Sequence, residues 1–118
     1  MKSMSLLFII FCFCTTAKAQ TQSTDSLYIV TYTTGSAWNT SMKPNEQPYF
    51  KEHSTNLSTL RKAGTIKFGA RYADKGIIVF KAASLEAATD LINADQAVAN
   101  KLFNADVQKL NAFYPWKE

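Results

Sequence analysis

The sequence predicts one α+β domain whose elements follow the order β-α-β-β-α-β, and three observations carry this prediction. Residues 27–33 and 65–72 are rich in β-branched and aromatic side chains that alternate with a period of two, which is typical of strands. Residues 50–64 place their apolar side chains at helical spacing. Between the first strand and this helix, residues 35–48 concentrate Gly, Pro, Asn and Ser, which indicates a long loop.

The first nineteen residues have the three parts of a secretory signal peptide. Lys2 supplies the positive start, residues 6–13 form the apolar run, and residues 17–19 (AKA) fit a cleavage site. The apolar run is shorter than the roughly 20 residues that a membrane helix needs, although a retained amino-terminal anchor is the alternative. We therefore expect a signal peptide at residues 1–19, a domain at residues 20–118, and a secreted or periplasmic protein.

Cleavage at that site would change the chemistry available to the mature chain. Both cysteines, Cys12 and Cys14, would leave with the signal, which excludes disulfides, thiolate metal sites and cysteine nucleophiles from the mature domain. Of the 13 basic residues, Lys2 and Lys18 would also leave, and the remainder are scattered along the chain against 9 acidic residues. This dispersed charge argues against a nucleic-acid partner, and no second apolar segment predicts a membrane span in the mature form.

The first helix contains the single histidine of the chain. We predict this helix from Pro48 or Tyr49 to Ala63, with Gly64 as its C-terminal stop. Its apolar stripe consists of Phe50, His53, Leu57, Leu60 and Gly64. An imidazole on such a stripe needs a hydrogen-bond partner, because an unpaired buried polar group costs about 1–3 kcal/mol. His53 is therefore either a satisfied core residue or a titratable site residue.

A hairpin is predicted after this helix. Residues 65–72 and 77–82 are its strands, and ADKG at residues 73–76 is its tight turn. The alternation in the first of these strands predicts one buried face. That face carries Ile66, Phe68, Ala70 and Tyr72. Arg71 falls on the polar side.

Two capped helices and a final strand complete the predicted domain. Ser84 can cap the second helix, and Asp95 can cap a further short helix through Phe103. Residues 106–114 are predicted as the last strand. The order is that of the ferredoxin-like fold, a four-stranded antiparallel sheet with helices on one face. Because the other face of such a small domain would stay open, we predict a homodimer.

Several short motifs follow one another along the mature chain. They are GSAW at residues 35–38, EQPYFKEH at 46–53, GARYADKG at 69–76, SLEAA at 84–88, ADQAV at 94–98 and LFNADV at 102–107. In their order and spacing they resemble the YCII-related family, from about Tyr28 to Tyr114. The resemblance implies a dimeric α/β barrel. It also implies site roles for a histidine of the first helix and an acidic residue of the hairpin loop, which match His53 and Asp74.

Four side chains are the candidate site residues. His53 is the candidate general acid-base, and Asp74 either assists it or is a turn residue. Arg71 has a planar guanidinium that suits a substrate carboxylate, and is otherwise a solvated or interface residue. Trp38 either closes over a ligand as a lid or packs its loop down. Asp95 is interpreted as a helix cap, with a catalytic residue as the alternative.

These residues predict an exported enzyme of the proton-transfer type, an isomerase or lyase that acts on a small, cyclic or carboxylated molecule. The alternative is a non-catalytic ligand-binding or structural dimer, in which His53 holds the first helix to the sheet. No metal or cofactor is predicted. The mature sequence has one histidine, no cysteine and no Gly-rich phosphate loop.

Overall fold

The computed structural model describes Cys12 and residues 24–117. Apart from Cys12, the predicted signal peptide at residues 1–19 lies outside the described residues. The described elements are β1 (Ser26–Thr34), α1 (Phe50–Lys62), β2 (Ile66–Tyr72), β3 (Lys75–Ala82), α2 (Leu85–Asn93), α3 (Gln96–Ala99) and β4 (Phe103–Lys109), with a 3-10 turn at Pro44–Glu46. Within this part of the chain, no helix is both long and apolar enough to cross a membrane.

The strands of the described part form one antiparallel sheet in the order β2-β3-β1-β4. β1 lies inside the sheet, where it pairs with β3 on one side and with β4 on the other. The predicted α+β class and the four-stranded antiparallel sheet are therefore confirmed. The strand order is compatible with a ferredoxin-like fold.

The two faces of this sheet have different surroundings. Val30 and Tyr32 of β1 point to the same side as Phe80 of β3, and all three are buried. We call this side the helical face, because α1 and α2 pack their apolar side chains on it. Burial of side chains of this size stabilises the fold by about 1.5–3 kcal/mol each. The opposite side, which we call the open face, carries Phe68 and Tyr72, whose side chains are exposed.

α1 begins at Phe50 and ends before Gly64. Gly64 has a φ of +80°, a left-handed conformation that favours glycine, so the predicted stop is confirmed. His53 is the buried residue of this helix, whereas Leu57 and Leu60 are half-buried. The imidazole is thus more deeply buried than the leucines on the same stripe.

A β-bulge in β2 changes which side chains face the helices. Ile66 lies on the helical face, but the register shifts between Ile66 and Phe68. The expectation that Ile66, Phe68, Ala70 and Tyr72 share one buried face is therefore wrong. The extra residue of the bulge turns the last three toward the open face, because side chains alternate along a strand. The same shift places Arg71 on the helical face.

The end of the chain also differs from expectation. The predicted short helix through Phe103 stops at Ala99, and Lys101 then adopts a φ of +61°. The last strand runs from Phe103 to Lys109 instead of over residues 106–114. Pairing with β1 sets its position, because the paired residues run from Thr34 opposite Phe103 to Tyr28 opposite Lys109. Cross-strand pairing therefore overrides the local pattern here.

Candidate functional site

A cavity of about 500 Å³ lies between α1, the carboxyl end of β1 and the β2–β3 hairpin. All four residues singled out from the sequence line it: Trp38, His53, Arg71 and Asp74. They come from the loop after β1, from α1, from the end of β2 and from the turn that follows. The cavity falls within the range of roughly 300–1,000 Å³ that is typical of small-molecule sites.

His53 is held in the wall of this cavity by Asp95, the residue just before α3. Its Nδ1 lies 2.9 Å from Oδ2 of Asp95, and the two side chains are only 10% and 1% exposed. Asp74 lines the cavity, but the carboxylate that hydrogen-bonds with the imidazole is that of Asp95. Asp95 is also the N-cap expected from the sequence, since its Oδ1 accepts the N–H of Ala97 at 2.8 Å.

Asp95 is ionised at neutral pH. Burial acts to raise its pKa, but the hydrogen bonds from His53 and Asn56, the charge of His53 and the N–H of Ala97 together lower the pKa below its ordinary value. Asn56 donates from Nδ2 to the same Oδ2 at 3.0 Å. A carboxylate that accepts three hydrogen bonds offsets much of its desolvation cost. Asp95 is therefore a fixed negative charge behind the imidazole.

The surroundings of Asp95 fix the tautomer of His53. Because the carboxylate can only accept, the Nδ1 of His53 must carry the proton of their hydrogen bond. Nε2 then has a free lone pair in the neutral ring. Nε2 makes no hydrogen bond to any described residue, and it is not among the buried polar atoms that lack a partner there. Since His53 lines the cavity, Nε2 is the imidazole atom available to a ligand.

Tyr32 lies against the same imidazole. Its ring meets that of His53 edge-on, with the centroids 5.2 Å apart. Among the described residues, the Tyr32 hydroxyl is the buried side-chain polar atom that has no hydrogen-bond partner. Burial, and secondly the negative charge of Asp95, raise the pKa of this hydroxyl, so it stays protonated at neutral pH. An unpaired hydroxyl in such a place costs about 1–3 kcal/mol of stability.

Aromatic rings form one wall of the cavity. Phe103 is at their centre, with its centroid 5.7 Å from Trp38, 6.4 Å from Phe50 and 5.0 Å from His53. The loop that carries Trp38 is held by the buried Gln47. Its side-chain amide accepts the N–H of Asn39 and donates to the carbonyl oxygens of Asn39 and Met42. Trp38 therefore lies on a hydrogen-bonded loop that is anchored beside the cavity.

Three residues of this site were not among the sequence-derived candidates. The sequence assigns Asn56 and Tyr32 no role in the chemistry, and it favours a cap over a catalytic role for Asp95. A partial signal existed for Asn56, because His53 and Asn56 are three residues apart and share a helix face. Nothing local identifies Asp95 as their common partner, since it is 42 residues from His53.

Comparison with models of known protein families finds none that matches this chain, and no curated protein matches it either. Within the described residues, no group of three or more His, Cys, Asp or Glu side chains is placed to hold a metal ion. Function is therefore inferred from the arrangement of the site itself. What it offers is an oriented imidazole, a buried carboxylate behind it, and a cavity in front.

Proposed function

We propose that this protein is an enzyme of the proton-transfer type, an isomerase or lyase for a small organic molecule, with His53 as its acid-base group. The observation that carries the proposal is the buried pair of His53 and Asp95 in the wall of a ligand-sized cavity. A histidine that is hydrogen-bonded to a carboxylate and borders a pocket is an arrangement typical of catalytic sites.

The proposed step follows from the tautomer. Nε2 of His53 takes a proton from a carbon atom next to a carbonyl group, and the electron pair of that C–H bond moves onto the carbonyl oxygen. Asp95 stabilises the imidazolium that forms. Return of the proton to a different carbon gives an isomerase. Expulsion of a leaving group from the neighbouring carbon gives a lyase instead.

The other predicted site residues have places in this proposal. Asp74 and Arg71 reach the cavity from the hairpin, where they assist the reaction by binding polar groups of the substrate. Trp38 lies on the aromatic wall and limits the shape of what can enter. The resemblance to the YCII-related family is part of the same proposal, and the histidine position it implies is the one paired with Asp95.

Deuterium exchange tests the acid-base role even while the natural substrate is unidentified. A panel of small lactones, cyclic enones and keto acids is incubated in D₂O with the protein, and loss of C–H signals is followed by NMR. We expect the wild type to accelerate exchange in at least one compound. His53→Gln should lose about 10²–10⁴-fold of that rate, which is the usual contribution of general acid-base catalysis.

Two carboxylate variants sharpen this test. Asp95→Asn should reduce exchange, because an amide in place of the carboxylate no longer fixes the tautomer of His53. Asp74→Asn is the matched control for loss of a carboxylate in the cavity, and should have the smaller effect. Equal exchange by wild type and His53→Gln would exclude the proposal. Ligand binding without exchange would favour the non-catalytic alternative.

We further propose a homodimer built on the open face, in the manner of a dimeric α/β barrel. Phe68 and Tyr72 support it, since they are 46% and 53% exposed on that face. Sedimentation should give a dimer for the wild type and a monomer for Tyr72→Lys. Leu85→Lys is the control, because Leu85 is an exposed apolar residue of α2. A monomeric wild type would exclude the dimer.

Export is the last part of the proposal, and it depends on residues 1–19. Expression in a bacterial host should release a protein that begins at Gln20, measured by amino-terminal sequencing of the exported fraction. Retention of the first nineteen residues in the membrane fraction would favour the anchor instead.

A further inference from the structure

Arg71 lies in a row of residues that crosses the helical face at the floor of the cavity. The strand register places Arg71 opposite Gly76, and Gly76 opposite Tyr32. A Cβ added to Gly76 would meet only Tyr32, so the space above this glycine is open. Residues directly opposite one another on neighbouring strands share a face. Across the sheet, the row therefore consists of the cation of Arg71, the open space above Gly76 and the aromatic ring of Tyr32.

From this row we infer that the cavity takes a planar, ring-bearing carboxylate, and that Arg71 determines this specificity by binding the carboxylate. The inference rests on the proposed function, since it names the substrate class of the same site. Arg71 recognises the charge of this ligand, and the aromatic wall recognises its shape.

The guanidinium of Arg71 is free to bind a ligand. It makes no hydrogen bond or ion pair with any described residue, although Asp74 is only three positions away. Arg61 provides the contrast, because its guanidinium donates to the carbonyl oxygens of Ile66 and Lys67. The fork of an arginine side chain binds a carboxylate through two parallel hydrogen bonds.

Lys75 is the nearest other cation along the hairpin, but its charge is directed elsewhere. Lys75 pairs with Tyr72, and both belong to the open face. Its ammonium lies 5.8 Å from the centre of the Tyr72 ring. Lys75 also lines the cavity, but Arg71 is the cation that the hairpin carries on its helical face. One guanidinium on this face suits a single carboxylate better than a phosphate dianion.

The aromatic wall favours a flat body on this carboxylate. Phe103 packs against Trp38 and Phe50 at tilted angles, so the wall presents ring surfaces and edges. Flat rings stack or pack edge-on against such surfaces, and each pair contributes about 0.5–1.5 kcal/mol beyond burial. A ring in this position also brings its substituents next to Nε2 of His53, which shares the wall.

Benzoate and benzamide provide the test, because they have the same ring and differ in charge. Each is titrated into the ¹⁵N-labelled protein, and the indole N–H signals of Trp38 and Trp116 are followed by NMR. Trp38 lines the cavity, whereas Trp116 lies outside it and is the internal control. We expect benzoate to bind at least about tenfold more tightly than benzamide and to shift the signal of Trp38 alone, as a charge-assisted pair predicts.

Variants assign the recognition to one residue. Arg71→Met should lower the affinity for benzoate at least about tenfold, to that for benzamide. Lys75→Met should change the affinity for benzoate by no more than about threefold. His53→Gln should leave benzoate binding within about threefold, because the carboxylate is held at Arg71.

Three outcomes would overturn the inference: benzamide that binds as tightly as benzoate, an equal loss in Lys75→Met, or no shift of Trp38 with benzoate. Failure of the proposed function is a separate result. In that case benzoate would still bind through Arg71, but His53→Gln would exchange deuterium as fast as the wild type.

Discussion

Each face of the sheet carries an aromatic pair with one tryptophan, yet the two pairs have different surroundings. On the helical face, Trp38 packs on Phe103 next to the buried imidazole of His53. On the open face, Trp116 of the carboxyl-terminal segment stacks on Phe68, with the centroids 6.0 Å apart and the planes inclined by 29°. One pair lines a cavity that contains polar groups, and the other covers part of a sheet.

The helical face is where this fold contains energetically costly polar groups. A buried carboxylate is weak evidence for stability, because the desolvation of its charge offsets much of what its hydrogen bonds to His53 and Asn56 contribute. Tyr32 adds a second cost through its unpaired hydroxyl. Both costs fall on the helical face, beside the cavity. Their position therefore supports a functional role for that face.

The largest expected effect is the loss of Asp95. Asp95→Ala removes the cap of α3 and leaves the donors of His53 and Asn56 without their shared acceptor. We expect the free energy of unfolding to fall by about 2–4 kcal/mol, measured by urea denaturation. Ser84→Ala is the matched control, because it removes only an exposed cap and should cost about 1 kcal/mol. Equal losses would mean that the pair with His53 adds no stability.

A smaller effect is expected from acid. The pKa of Asp95 is lowered in the folded protein, so its contribution to stability is present in full above the unfolded value of about 4 and is lost as the pH falls through the folded pKa. The free energy of unfolding of wild type should therefore decline below about pH 4 more steeply than that of Asp95→Asn. If the free energy of unfolding fell equally steeply below about pH 4 in both proteins, Asp95 would not be the group responsible.

Tyr32→Phe should act in the opposite direction. The substitution removes a buried hydroxyl that has no partner, so we expect the free energy of unfolding to rise by about 1 kcal/mol. The stability difference between Tyr32→Phe and wild type should grow above about pH 10. There Tyr32 ionises in the unfolded chain but not in the folded protein, which destabilises only the wild type. Tyr28→Phe, on the same strand and face, is the control and should be close to neutral. A loss of stability in Tyr32→Phe would show that the hydroxyl has a partner.

The smallest expected effect is on the open face. Trp116→Leu keeps an apolar side chain but removes the stack on Phe68, and should lower the free energy of unfolding by about 0.5–1 kcal/mol. Phe113→Leu, in the same segment, should have no measurable effect, because Phe113 is 87% exposed. A loss from Trp116→Leu as large as that from Asp95→Ala would mean that the two faces contribute alike.

Features that depend on neighbouring residues could be predicted from the sequence alone. The alternation of β1, the stop at Gly64 and the caps at Ser84 and Asp95 are all local, so a single stretch of chain contains the whole cause. The position of His53 on an apolar stripe was also predictable, and so was its need for a hydrogen-bond partner.

The identity of that partner and the face that Arg71 occupies depend on the tertiary structure. The first depends on α3 packing beside α1, and the second on a bulge that shifts the register of β2 against β3. Both are set by contacts between segments far apart in the chain, whose free energy no local pattern contains. The cap at Asp95 is predictable because Oδ1 accepts the N–H of Ala97, two residues away. The bond between Oδ2 and His53 is not, because the two residues are 42 positions apart in the chain.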